Sequence, residues 1–346
     1  MEKRTLAQCT LGLLLLTLGL AAGAETLLVT NKSEASVSLI DLPGFETVAT
    51  LPTGEGPHEV DVSPNGKLAL VTNYGTRDAP GNTLTLIDIP RARSLSRITL
   101  YDGARPHGIQ WLSNDTAVVT AEGMEALLIV DVPQRRVTEV VNIAQQGGHM
   151  VSASPARQRA YVANIGSGTA SVIDLSPPRK VADLPSGEGT EGVALAAGGT
   201  QLWLTNRASN TVTVYATDSK RKLAEIGLEG FPIRAEADDA RKRVYITLPQ
   251  ANALAVVSTE TFAVERIQPF NLGPDARRKT MFGDRMPDSS IPVGVQLSGD
   301  GSLLFVAHTS AHVIGAYDPD SLERRALIPA GLEPDGMAWS PLDARP

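Results

Sequence analysis

Three of the five histidines in this 346-residue chain stand at one repeating position. His58 follows Pro57, His107 follows Pro106, and His149 follows Gly148. The step from His107 to His149 is 42 residues, and the same step leads to Glu191 and then to Ile233. Later repeats place Val293, and then Asp335 after Pro334, in the same slot. Three imidazoles with nearby carboxylates suit a divalent transition metal such as zinc, copper or iron, so His58, His107 and His149 are the expected metal ligands. The same residues, held neutral, equally suit a hydrogen-bonded, water-filled channel lining. A third use is acid–base chemistry, with His107 or His149 as general base beside Glu191. Glu191 and Asp335 are the carboxylates expected to help bind a ligand. His308, read as part of a loop on the same face, is a further polar contributor.

The elements that must position these groups are short strands. Val29-Thr30-Asn31, Val71-Thr72-Asn73, Val162-Ala163-Asn164 and Leu204-Thr205-Asn206 each close one strand, with Val119-Thr120-Ala121, Ile246-Thr247-Leu248 and Val306-Ala307-His308 in the same slot. A second strand follows each: Ser36–Leu42, Thr83–Ile89, Ala126–Val132, Ala170–Leu175, Thr211–Ala216, Ala253–Ser258 and Val313–Tyr317. Gly, Pro, Asn and Asp mark the joints, and no helical period is sustained. Four strands at a period near 42 residues is the requirement of one propeller blade. The segment Thr26–Pro52 supplies strands B, C and D of a blade but no strand A, and the missing strand is Asp335–Ser340 at the other end. The expectation is an all-β, seven-bladed β-propeller of four-stranded blades, closed by its two terminal strands. The repeating slot opens strand A, the innermost strand, and faces the channel.

Other repeated residues read as structural. Asn31, Asn73, Asn164 and Asn206 are expected to bond nearby backbone. Asp41, Asp88, Asp131, Asp174 and Asp318, at the opposite end of the blades, read as turn residues. His312 has no repeat partner and reads as a surface residue. Two insertions decorate the channel-mouth face. One is Gly75–Asn82, next to His58. The other, residues 271–290, carries Arg277, Arg278, Lys279 and Arg285 around Met281 and Phe282, and is expected either to bring cations to an anionic ligand or to stay solvated.

The composition bounds the partners. Met1-Glu2-Lys3-Arg4, an apolar stretch from Leu11 to Ala22, and Ala22-Gly23-Ala24 predict a signal peptide, residues 1–24, and a periplasmic or secreted domain, residues 25–346. The single cysteine, Cys9, would leave with it, and so would one net positive charge, taking the formal charge from −7 to −8. That excludes disulfides and thiol chemistry, and an acidic surface argues against nucleic acid. No membrane span is expected after cleavage. The remaining partners are a small molecule, a metal ion or another exported protein, and a monomer is expected.

The Val-Thr-Asn strand followed by strands of the Leu86-Ile87-Asp88 type resembles the YVTN family of β-propeller repeats, within the superfamily of lactonase-like and haem-d1-type seven-bladed propellers. The resemblance covers essentially the whole mature chain. It implies the fold, and for function it implies a range: lactonases, haem-carrying reductase domains whose axial histidines ligate iron, and proteins without assigned activity. The leading expectation is an exported propeller binding protein that holds a ligand, a transition metal or metal cofactor included, at the channel mouth. The alternatives are a lactonase-type hydrolase of sugar lactones and a protein–protein interaction scaffold. No Gly-x-Ser-x-Gly motif supports the hydrolase, and few aromatics support the scaffold.

Overall fold

Runs such as Leu27-Leu28-Val29 and Leu68-Ala69-Leu70-Val71 are apolar at consecutive positions. Successive side chains of a strand point to opposite faces, so such a run is buried on both. The computed structural model describes residues 25–42, 44–273 and 286–345, and in it these runs lie between neighbouring sheets. Residues 1–24, Cys9 included, and Arg277, Arg278, Lys279, Met281, Phe282 and Arg285 lie outside the described residues.

Seven four-stranded antiparallel sheets are arranged as the blades of a propeller. Blade 1 joins Pro334–Ser340 to Thr26–Asn31, Ser36–Asp41 and Glu46–Pro52. The closing pair runs in register from Thr26 opposite Ser340 to Val29 opposite Met337. Blades 2 to 7 start at their inner strands, Pro57–Val62, Pro106–Trp111, Gly148–Ser154, Thr190–Ala196, Ala235–Asp238 and Pro292–Leu297. Helical structure among the described residues is confined to three-residue turns such as Lys32–Glu34.

The core is divided into layers, one per blade interface. Leu27 and Val29 pack against Phe305 and Ile314 of blade 7, whereas Leu28 between them packs against Val71 and Ile87 of blade 2. Outer strands are mostly exposed and polar, as in Arg136–Asn142. In every blade the register between the third and outer strands shifts, for example at Ile129/Val130 and Val214/Tyr215. A bulge there twists the edge and blunts edge-to-edge pairing.

Hydroxyls and carboxylates tie the layers together. Thr30, Thr72 and Thr120, the central residues of the repeated Val-Thr-Asn slot, donate from Oγ1 to the carbonyls of His58, His107 and His149 of the next blade, at 2.9, 2.9 and 2.7 Å. Thr205 and Thr247 do the same to Ile233 and Val293, at 2.7 and 2.8 Å. The tight approach leaves no room beside the ring. A Cβ on Gly192 would lie 2.1 Å from Ile233 O, and one on Gly336 2.4 Å from His58 O.

Deeper in the channel, Asp61 accepts from Trp111 N at 2.7 Å and Glu236 from Leu297 N at 3.1 Å, again across blade boundaries. Burial pushes both carboxyls up to about 7. Between about pH 4 and pH 7 the folded chain therefore holds protons that the unfolded chain has lost, and these groups lower stability as pH rises through that window. Because His58, His107 and His308 act in the opposite sense below their ordinary range, the expected result is a difference. Asp61→Asn with Glu236→Gln keeps the acceptors, and its stability gain over wild type is larger at pH 8 than at pH 5. Urea unfolding at both values checks this, and an equal gain at both would refute it.

Candidate functional site

Seven inner strands converge on one cavity of about 390 Å³. His58, His107, His149, Glu191, Ile233, Val293 and Asp335 all line it, so the slot aligned in the sequence is one ring. The bolts from Thr30, Thr72 and Thr120 hold the backbone of the three histidines and so bring their rings together. The His107 and His149 centroids are 3.6 Å apart with planes tilted by 32°, and His58 meets His107 edge-on at 4.7 Å. Tyr74 joins the group, 4.6 Å from His58. Facing these rings are Phe231, Ile233, Pro249, Met286, Ile291 and Val293. Met286, a described residue at the end of the 271–290 insertion, lies at the channel mouth.

Below the rings the channel is crossed by Arg234. Its Nη2 donates to Glu59 Oε1 on the far side at 2.6 Å, and its Nη1 to Glu191 Oε1 at 3.2 Å. Glu191 also pairs with Arg207 Nη1 at 2.6 Å and lies 3.5 Å from His149 Nε2. Burial alone would raise Glu191, but His149, Arg207 and Arg234 outweigh it and hold the carboxyl at about 2. Burial would lower His149, but Glu122 and Glu191 outweigh it and raise its pKa. His58 and His107 move the other way, well down. Burial leads in both, followed by Lys32 for His58 and by His149 for His107. Burial raises Glu59 against the opposing pull of Arg234. The ring thus holds two imidazoles whose charged form is disfavoured beside a third whose charged form the flanking carboxylates favour.

The arrangement bears on each expected ligand. His58 Nδ1 is 2.9 Å from Gly56 O, and both His149 nitrogens face carboxylates. Among the described residues no three His, Cys, Asp or Glu side chains are grouped so as to hold a metal ion. As placed, His107 and His149 stack on one another and His58 meets His107 edge-on. Asp335 is drawn to Lys32 Nζ at 3.6 Å.

His308 is a correction. It ends a strand, Leu304–His308, is fully buried and does not line the cavity. Its Nδ1 is 2.8 Å from Ser290 Oγ and its Nε2 3.0 Å from Tyr317 Oη, and burial lowers it to about 3. The slot is that of the repeated asparagines, and His308 does the same structural job. Asn31 there donates to Ser36 and Ser38, and Asn206 to Thr211 and Thr213. His312 is also buried, not superficial, and its Nδ1 accepts from Glu333 N at 3.0 Å. Asp41, Asp88, Asp131 and Asp318 accept turn amides, as read, while Asp174 pairs with Arg159.

Five polar lining or adjoining groups of this site were not singled out in the sequence: Arg234, Arg207, Glu59, Tyr74 and Lys32. A signal for two of them existed. The residue after the ring slot is glycine at Gly108, Gly192, Gly294 and Gly336, and a charged residue in a glycine slot, Glu59 or Arg234, has to project into the channel.

Comparisons agree with this geometry. A family described as YNCE-like beta-propeller matches residues 19–117. The "Uncharacterized protein YncE" of Escherichia coli (strain K12) is 26% identical over 244 residues, 64% of this chain and 67% of that one. A functionally unknown protein from Desulfotomaculum acetoxidans superposes over 92% of this chain and 99% of its own with a TM-score of 0.74, at 12% identity. The chain has the seven-bladed β-propeller fold. Two further structures share this propeller. Hydrazine synthase of Kuenenia stuttgartiensis has a TM-score of 0.67 at 19% identity, over 86% of this chain and 93% of that one. Dihydro-heme d1 dehydrogenase NirN in complex with DHE has 0.65 at 14% identity, over 90% and 74%. Identities this low carry the propeller and nothing of the chemistry.

Proposed function

We propose that the chain is an exported binding protein that holds a small molecule in the cavity at the mouth of its channel. The observation that carries this reading is the closed form of the cavity: all seven blades contribute their ring residue, and Arg234 floors it by spanning the channel to Glu59. A concave site with one apolar wall and a few fixed polar groups is the usual form of a small-molecule pocket, and its volume falls at the low end of the ~300–1,000 Å³ range. Rigid strands hold the walls in place, so binding costs little ordering. What favours binding over lactone hydrolysis is the state of the groups a hydrolase would use. Glu191 is already paired with two arginines, His149 is the raised, carboxylate-flanked member of the ring, and burial and His149 hold His107 well down, so none of the three is poised as a general base.

The test is to express the full chain with residues 1–24 in a bacterial host, recover it from the periplasm, and analyse it by native mass spectrometry and elemental analysis. The expected result is a mass consistent with cleavage after Ala24 and one small organic molecule per chain, lost in His107→Ala. Zinc, copper or iron at one per chain, lost when His58, His107 and His149 are all replaced by alanine, would replace this reading with a metal centre. A wild type that carries nothing, and that no compound in a metabolite screen stabilises, would leave the scaffold role.

A further inference from the structure

A second cavity, of about 490 Å³, opens beside the first and shares Lys32, His58 and Tyr74 with it. Its remaining lining comes from residues 55–56 and 75–77, together with Ser33 and Arg105. The segment read from the sequence as the Gly75–Asn82 insertion is a hairpin extension, with Gly75 opposite Pro80. Arg77 stands at its tip and Arg105 at its base.

The two chambers differ in how their charges are matched. In the inner one, Arg234 pairs with Glu59 and Glu191, Arg207 with Glu191, and Lys32 with Asp335. In the outer one, Arg105 Nη2 donates to the carbonyls of Thr76 and Arg77, and its guanidinium lies 5.1 Å over the Tyr74 ring. Among the described residues neither Arg77 nor Arg105 pairs with a carboxylate. Glu55 is the one acidic lining residue against Lys32, Arg77 and Arg105. Asp78, next in sequence to Arg77, does not line the chamber. Glu122, on the other side of Tyr74, is engaged by His149 at 3.4 Å. The outer chamber is therefore a cationic vestibule, and the inner one is a slot between flat rings and aliphatic side chains.

We propose that the ligand is a flat aromatic anion, whose ring enters the slot between the imidazoles and the Ile233–Val293 wall while its anionic group rests between Arg77 and Arg105. This rests on the cavity being the ligand site. A neutral imidazole offers a ring face for stacking, and the apolar wall covers the other side of a planar guest. The backbone-tethered Arg105 offers its outward N–H groups to a carboxylate or a phosphate, a match of fork to oxyanion. A cationic guest would meet the like charges of Arg77 and Arg105 at the entrance.

Titration with 2-naphthoate, 2-naphthalenemethanol and 2-naphthylmethylammonium tests this at low and high salt. The naphthoate is expected to bind tighter than the alcohol by about fivefold or more, the scale of two partly exposed charge contacts. The ammonium compound is expected to bind weakest, and salt to narrow the gap. In Arg77→Gln/Arg105→Gln the naphthoate falls to the level of the alcohol, whose own affinity is unchanged, which also shows that the variant is folded. An alcohol that binds as tightly as the naphthoate, or a preference that survives in the double variant, overturns the anion selectivity and leaves the binding reading standing. If none of the three binds, the inference falls, and the co-purification experiment with His107→Ala decides the binding reading separately.

Discussion

Replacing Arg234 with methionine lowers stability at pH 7 by about 3–5 kcal/mol, the cost of leaving buried charge without its partner. The guanidinium is the only described cation that reaches both Glu59 and Glu191, and burial of Arg234 is offset by these two carboxylates and by Asp335, which keep it charged. Without it, Glu59, already raised by burial, is left in the channel with no cation bonded to it. Glu59 would then take up a proton in the folded chain at pH values where the unfolded chain has none, while Glu191 keeps Arg207 and His149. The native state binds the extra proton, so the deficit shrinks as pH falls from 7 towards 5. Urea unfolding of Arg234→Met at the two pH values gives the slope. Adding Glu59→Gln should recover a large part of the loss at pH 7, because the stranded charge is then gone. A variant as stable as wild type at pH 7 would mean that the floor of the cavity is not held by this pair.

Truncation after Leu332 abolishes cooperative folding. The removed segment supplies the inner strand Pro334–Ser340, and with it the ladder to Thr26–Asn31. It also removes Met337 and Ala338, which sit in two different interface layers, the first against blade 7 and the second against blade 2. Thr26 loses a further tie, since its Oγ1 donates to Leu342 O at 2.8 Å and accepts from Ala344 N at 3.0 Å. Closure of the ring leaves no inner edge, and the truncation creates one in the middle of the core. The expected readout is a loss of the urea transition and a chain that aggregates. A synthetic peptide of residues 333–346 added during refolding should restore it. A truncated chain with an unchanged transition would show that the ring does not depend on its closing strand.

The fold was legible because the repeat is explicit. The Val-Thr-Asn strands and the 42-residue step define blades, and Asp335–Ser340 completes the blade that lacks an inner strand. The ring of histidines was legible for the same reason, since one slot in each repeat faces one axis. What the repeat could not convey is what happens across the axis. Arg234 and Glu59 are 175 residues apart and meet only because blades 2 and 6 face one another. His308 misled because histidine in a repeat looks functional. The deciding fact, that its slot belongs to asparagines bonding hydroxyls between strands, depends on the bonds made by Asn31 and Asn206. The stacking of His107 on His149 depends on rotamers, which no spacing rule specifies.

One omission in the set of threonine bolts has a consequence. Blade 4 carries Ala163 where the bolt would be, so Glu191 of blade 5 has no hydroxyl holding its carbonyl. In blade 7, where Ala307 makes the same omission, Thr309 substitutes by bonding Pro334 O at 2.8 Å. At the axis, the junction between blades 4 and 5 is instead spanned by His149 and Glu191. Every other inner junction keeps a threonine hydroxyl bond to a carbonyl, whose strength does not change with pH, while this one relies on a titratable imidazole. It acts as a proton-dependent latch: as pH rises through the raised pKa of His149, the latch loosens at this seam while the threonine bonds at the other six are unchanged. Backbone amides of Thr190–Ala196 are where that loosening would register as faster hydrogen exchange.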